Sequence, residues 1–187
     1  PGQYPLSIQL VRADGSVEAE RKSDVAYLGP RGRMVAQVCE DAHVIQRGTS
    51  DGSGRTLLVD GGGKSMGDEH HAVAYLKFKL DVPGKPVAAT LRIWNAGNPT
   101  SNGGNICLVS GRWTEKSITY ANRPKPADVL ANLGRVESEQ MIEVPLKLSP
   151  PAKGEFNLAI DPVNCDGVNY LSREAGKPAE LIVEYEK

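Results

Sequence analysis

Two neighbouring stretches of the chain carry the side chains best suited to bind a ligand. Within residues 72–80 and 87–94, apolar residues alternate with polar or aromatic residues, strictly so over 74–80 and 89–94. Successive side chains of a β-strand point to opposite faces, so each stretch predicts a strand with one apolar and one polar face. The basic and aromatic members of the two polar faces are Tyr75, Lys77, Arg92 and Trp94.

These residue types suit an anionic ligand. A guanidinium offers a planar fork of donors that fits a carboxylate or sulfate, and a lysine ammonium supplies a point charge. If both strands belong to one sheet, we expect Lys77 and Arg92 to share its outward face. The alternative is that they are ordinary outward residues, whose surface ion pairs contribute about 0–1 kcal/mol.

Residues 113–124, Trp-Thr-Glu-Lys-Ser-Ile-Thr-Tyr-Ala-Asn-Arg-Pro, allow two interpretations. Trp113 and Tyr120 could form an aromatic platform with Asn122 as a polar handle. Alternatively, Trp113 anchors an irregular segment against the core, with its indole N–H satisfied.

Two other motifs do not support the chemistry they first suggest. Residues 61–65, Gly-Gly-Gly-Lys-Ser, have Leu58 where a phosphate-binding loop needs its first glycine, and no helix is predicted after them. Residues 68–71, Asp-Glu-His-His, lack the His-x-x-x-His spacing of zinc proteases, and adjacent histidines on a strand would point to opposite faces.

The elements that must position these residues are predicted to be strands. The chain has 187 residues, 20 of them Gly and 13 Pro, and its short apolar runs between turn-forming residues predict one all-β sandwich or barrel. One helical turn is expected in residues 126–133. Beyond the two stretches above, the strands of the main body are predicted at 34–40 and 43–46 (one broken strand or two), 56–60, 106–110, 129–136, 141–146, 156–160, 169–172 and 181–185.

Composition excludes some functions. The net charge of −1 gives no reason to expect a nucleic acid or an anionic membrane as partner. No apolar run approaches the roughly 18 residues that a membrane span needs. The three cysteines, Cys39, Cys107 and Cys165, allow at most one internal disulfide, and their spacing fits no zinc pattern.

Residues 1–33 stand apart from the main body, residues 34–187. Two short strands around Asp14-Gly15 predict a hairpin, which could be an appended hairpin, a linker remnant or an added edge of the main sheet. The chain opens with Pro-Gly-Gln-Tyr and no starting Met, so we expect it to be a piece of a longer protein.

Several motifs in order along the chain resemble those of the DNRLRE domain family, which overlaps a carbohydrate-binding module family that recognises alginate. The matching segments cover about residues 36–187 and include Asp41-Ala-His-Val and residues 54–59, 74–80, 89–93, 113–124 and 171–185. The resemblance implies an antiparallel β-sandwich of jelly-roll type. It also implies a secreted or cell-surface protein of bacterial or archaeal type, often with a polysaccharide lyase or glycoside hydrolase in the same chain.

The resemblance also implies site residues. Lys77, Arg92 and Arg173 fall in matched motifs and would bind an acidic polysaccharide such as alginate, with Tyr75 and Trp94 stacking on sugar rings. Jelly-roll carbohydrate-binding domains frequently carry a structural calcium, which takes six to eight oxygen ligands. The carboxylates expected to supply them are Glu40, Asp41 and Asp60.

Three functions are therefore expected, in descending order. The first is a non-catalytic carbohydrate-binding module that directs an appended enzyme or surface protein to an acidic polysaccharide. The second is a structural or adhesive module of a secreted or cell-surface protein. The third is a lyase-like enzyme in which His71 and Tyr75 transfer protons and Arg92 neutralises a uronate carboxylate.

Overall fold

A computed structural model describes residues 2–27, 30–48, 52–62 and 70–187. Most of the Gly-Gly-Gly-Lys-Ser motif, and the Asp-Glu pair before His70, lie outside the described residues. The strands are β1 (Gly2–Val11), β2 (Val17–Tyr27), β3 (Arg31–Ile45), β4 (Thr56–Val59), β5 (Ala72–Asp81), β6 (Lys85–Trp94), β7 (Asn105–Val109), β8 (Pro126–Asn132), β9 (Met141–Pro145), β10 (Lys153–Asp161), β11 (Val168–Leu171) and β12 (Glu180–Glu186).

Eight strands form one antiparallel sheet in the order β8-β7-β10-β5-β3-β12-β6-β9. Strand β3 belongs to both halves, because residues 31–37 pair with β12 and residues 38–45 pair with β5, with a register shift between Val38 and Glu40. We call the half containing β8, β7, β10 and β5 layer A, and the half containing β12, β6 and β9 layer B.

The two layers pack face to face around one hydrophobic core. Leu76 and Phe78 of layer A lie in the same buried cluster as Leu91, Ile93 and Leu181 of layer B. Each large apolar side chain buried in this way stabilises the fold by about 1.5–3 kcal/mol. The expected antiparallel β-sandwich is therefore confirmed.

The remaining strands form two smaller sheets. Strands β4 and β11 pair with each other and are joined to the main sheet by the bridges Asp60–Ala72 and Asn95–Tyr170. Strands β1 and β2 form the predicted hairpin around Gly15, and neither pairs with a strand of the described main body.

The elements agree with the sequence patterns with one exception. One helical turn is predicted within residues 126–133, but Pro126–Asn132 form strand β8 instead, because their backbone groups pair with β7. The strand predicted at 129–136 therefore begins and ends earlier than expected. Arg173–Ala175 forms a single 3-10 turn. No helix among the described residues is long and apolar enough to cross a membrane. All three cysteines are free thiols.

Candidate functional site

The outer face of layer A is covered, contrary to expectation. Residues 110–125 run across it, and Trp113 and Ile118 pack with Tyr75 and its strand neighbours in a second buried cluster. Tyr75 is fully buried, and its hydroxyl donates to the Pro124 carbonyl oxygen at 2.7 Å. Desolvation by burial raises the pKa of this hydroxyl. The expectation that Tyr75 lies on an exposed face is wrong.

Lys77 lies beneath the same segment. Its ammonium donates to Glu40 Oε1 at 2.9 Å and to the Trp113 carbonyl oxygen, and it stands 4.7 Å from the centre of the Trp113 ring. Burial opposes the ionisation of Glu40, but hydrogen bonds from Lys77 and from the Glu115 N–H lower the pKa of Glu40 overall. Lys77 is therefore a buried, neutralised cation that fastens the covering segment, and its predicted exposed position is wrong.

Trp113 anchors its segment as in the second interpretation, because it is buried against layer A, but the expectation that its indole N–H is satisfied is wrong: Nε1 has no hydrogen-bond partner among the described residues. Tyr120 is only partly exposed: one side of its ring carries the Arg123 guanidinium, and its hydroxyl lies 3.0 Å from His71 Nδ1. Asn122 is exposed, but its side chain already bonds Ser117 and Thr119 of its own turn. Tyr120 and Asn122 thus stabilise the segment, and no open platform joins them to Trp113.

Arg92 lies on the opposite side of the molecule, on the outer face of layer B. Its guanidinium is bonded to Glu143 of β9 at 2.6–2.7 Å and to Glu180 of β12 at 2.6 Å. Strand register aligns the three residues in one row across the layer. Lys77 and Arg92 do not share a face, because the sheet turns back on itself at β3.

Arg173 lies at the start of the 3-10 turn and is connected to the Lys77–Glu40 pair through Glu115. Its guanidinium contacts both oxygens of Glu115 at 2.9–3.0 Å and also Glu174 at 2.9 Å. All three predicted ligand cations are thus neutralised within the protein, and Arg92 lies apart from Lys77 and Arg173.

The three predicted calcium ligands do not meet at one site. Both oxygens of Glu40 already accept hydrogen bonds, from Lys77 and from the Glu115 N–H. Asp41 is almost fully buried, and desolvation raises its pKa to about 6. Asp60 directly follows β4, bridges Ala72 and accepts from the Gly62 N–H. In the described part of the chain, no three acidic, histidine or cysteine side chains are grouped as metal ligands.

The lyase-like constellation also fails to form. His71 lies against Tyr120, Tyr75 is enclosed beneath residues 110–125, and Arg92 lies on the far layer. No surface brings these three side chains together, so the predicted proton-transfer arrangement is wrong.

Among the predicted ligand residues, Trp94 is the accessible one whose side chain is not already bonded to another described residue. It ends β6, and alternation along the strand places it on the outer face of layer B while Ile93 enters the core. Its partly exposed indole lines a cleft of about 300 Å³, which we call the Trp94 cleft. The other lining residues are Asn95, Ala96, Glu139, Leu171 and Lys177.

Asn95 holds the walls of the Trp94 cleft in place. This buried side chain donates to the Asn98 carbonyl oxygen and accepts from the N–H groups of Gly97 and Glu139. Glu139 has φ 56°, a left-handed conformation that costs a non-glycine residue on the order of 1 kcal/mol or more. Residues held in such conformations by their surroundings are frequent at binding sites.

Sequence reasoning missed Glu139 and Lys177. Glu139 lies in the turn before β9, and Lys177 follows the 3-10 turn, so they reach Trp94 only through the fold. Neither has a periodic pattern or a motif spacing that could have identified it.

A second cleft, of about 440 Å³, lies at the edge of the segment that covers layer A. Its floor carries the Lys77–Glu40 pair and Trp113, and the exposed side chains of Arg112 and Glu155 are among its lining residues. The acids and bases are mixed, and the ammonium is already neutralised. The Trp94 cleft therefore offers the better aromatic surface for a ligand.

The fold is thus an antiparallel β-sandwich, and one open polar cleft on it presents an accessible indole. The model of carbohydrate-binding module family 96 matches residues 35–185, so the chain belongs to this family. Such families consist of binding modules and not of catalytic domains. A search of the curated proteins finds no match to the chain.

Proposed function

We propose that this carbohydrate-binding module recognises an acidic polysaccharide and that one of its sugar rings stacks on Trp94. The observation that carries the proposal is the accessible indole of Trp94 in a cleft lined by Glu139 and Lys177. Small-molecule sites typically combine such an apolar surface with a few well-placed polar groups. Glu139 can accept hydrogen bonds from sugar hydroxyls, and the Lys177 ammonium can donate up to three.

Lys177 is the residue that would recognise the negative charge of an acidic ligand. Lys177 is exposed and forms no ion pair with any described residue, whereas the Arg92 guanidinium is bonded to two carboxylates. A uronate carboxylate is therefore expected at Lys177 and not at Arg92. Because the pair of the Lys177 ammonium and the uronate carboxylate would be exposed to solvent, salt should weaken its contribution to binding.

Binding of purified chain to alginate, a sulfated glycan and an uncharged glucan, at two salt concentrations, tests the proposal. Trp94→Ala should raise every Kd at least about 30-fold, since truncation of an aromatic anchor typically costs about 2 kcal/mol or more. Lys177→Ala should weaken binding of the acidic glycans only and reduce its salt dependence. Lys79→Ala, on an exposed strand position of layer A, is the matched control.

The outcomes separate the parts of the proposal. Absence of binding to every glycan at millimolar concentration would overturn it and favour a structural or adhesive module. Binding of the uncharged glucan alone would overturn the acidic specificity. Full binding by Trp94→Ala would exclude the Trp94 cleft as the site.

We also propose that the module acts outside the cell, on a secreted or cell-surface protein, where it holds an appended enzyme near its substrate. Fusing the chain to a polysaccharide-degrading enzyme tests the targeting role. The fusion should accelerate degradation of insoluble substrate and leave turnover of soluble oligosaccharides unchanged. A Trp94→Ala fusion that performs equally well would contradict it.

A further inference from the structure

Two carboxylate oxygens are buried without a partner near the 3-10 turn. Asp41 is only 1% exposed; its Oδ2 accepts from the Arg173 N–H at 2.8 Å, but its Oδ1 has no hydrogen-bond partner among the described residues. Glu174 Oε1 pairs with the Arg173 guanidinium at 2.9 Å, whereas Glu174 Oε2 is likewise buried and without such a partner. Buried polar groups are normally satisfied, and an exception calls for an explanation such as a bound ion.

The charges around these oxygens are unbalanced. A chain of hydrogen bonds and ion pairs connects four carboxylates to two cations, which leaves two negative charges. The four carboxylates are Glu40, Asp41, Glu115 and Glu174, and the two cations are Lys77 and Arg173. Burying charge without compensation is costly, so this deficit favours a divalent counter-ion.

We propose that a divalent cation of the calcium class binds between Asp41 Oδ1 and Glu174 Oε2. Calcium prefers oxygen ligands and completes its coordination with backbone carbonyls and water, so it does not require three acidic side chains. The site keeps Asp41 from the predicted set and replaces Glu40 and Asp60 with Glu174. The cation would link strand β3 to the 3-10 turn and stabilise the folded chain.

The test measures stability and metal binding, without any glycan. Protein stripped with a chelator and then freed of it is titrated with Ca²⁺, Mg²⁺ or KCl at matched ionic strength, and its thermal unfolding is recorded. At a Ca²⁺ concentration 100 times Kd, the folding equilibrium constant should rise roughly 100-fold. Mg²⁺ should have a smaller effect, because it demands a stricter octahedral geometry. Luminescence of added Tb³⁺ reports occupancy directly.

Three variants locate the effect. Asp41→Asn and Glu174→Gln should each lose the Ca²⁺ response, and Asp60→Asn, the control at the other predicted carboxylate, should keep it. If Asp41→Asn does not fold, the Ca²⁺ response of Glu174→Gln serves as the test, because the Glu174 side chain is partly exposed and its replacement should be tolerated. The proposal is overturned if the wild-type chain shows neither a Ca²⁺-dependent shift nor Tb³⁺ emission. It is also overturned if Glu174→Gln responds like the wild type, or if Asp60→Asn abolishes the response.

Discussion

Replacing Lys77 with Met tests whether this residue serves the fold or the ligand. Methionine keeps much of the apolar stem and removes the ammonium that bonds Glu40 and the Trp113 carbonyl oxygen. The side chain of Lys77 is 5% exposed, so the change leaves Glu40 without its partner beneath residues 110–125. We expect a loss of stability with unchanged glycan binding, because the Trp94 cleft lies on the opposite layer.

The magnitude follows from the burial of the pair. Removing one partner of a buried ion pair typically costs about 3–5 kcal/mol. The Glu40 side chain is 29% exposed, so water can partly solvate the carboxylate left behind, and the expected loss is near the lower limit, about 3 kcal/mol. For a chain of this size, this corresponds to a fall in Tm of roughly 6–12 °C.

The pH dependence of the loss has a definite sign. Because the folded state lowers the pKa of Glu40, the pair contributes stability above the ordinary pKa of this carboxyl. That contribution disappears as the pH falls through the lowered folded value. The difference between wild type and Lys77→Met should therefore shrink in acid.

Urea unfolding from pH 3 to pH 8, together with glycan binding by the folded fraction, provides the assay. Lys79→Met, an exposed change on the same strand, is the matched control and should alter stability by less than about 0.5 kcal/mol. A Lys77→Met protein of normal stability that binds acidic glycans weakly would refute the reasoning and restore Lys77 as a ligand residue.

Three further results are expected. Asn95→Ala should reduce stability by about 2 kcal/mol and weaken glycan binding, because it leaves the Glu139 N–H without its acceptor; unchanged affinity in the folded fraction would contradict this. Gly103→Ala should lower Tm strongly, since a Cβ there would overlap the buried Tyr170 hydroxyl; a Tm within error of wild type would argue against that packing. Deletion of residues 1–29 should leave the Tm and glycan affinity of the main body unchanged, because the hairpin pairs with no other described strand; a lower Tm would indicate docking.

Strand positions were largely predictable because they depend on local information. Residues 72–80 alternate in the sequence and form β5, with Leu76 and Phe78 in the core as expected. Turn residues such as Asp14-Gly15 likewise identified the first hairpin. These features follow from side-chain alternation and backbone preference, which neighbouring residues determine.

The candidate binding surface was not predictable in the same way. Alternation shows that a strand has two faces, but it does not show what covers each of them. The polar face of β5 is covered by residues 110–125, and β3 places Arg92 on the other layer. Glu139 and Lys177 meet Trp94 from separate loops, so their proximity depends on contacts distant in the sequence.

Lys77 and Trp94 each have the role opposite to the one that their residue type suggests. The ammonium of a lysine on a strand face is normally hydrated. Lys77 instead stabilises the fold, because Glu40 and the carbonyl oxygen of Trp113 take the place of its hydrating water. A tryptophan is apolar and often buried, yet Trp94 stays accessible because the walls around it are polar turns fixed by Asn95. Ligand binding in this module should therefore depend more on the rigidity of those turns than on the number of cations in the chain.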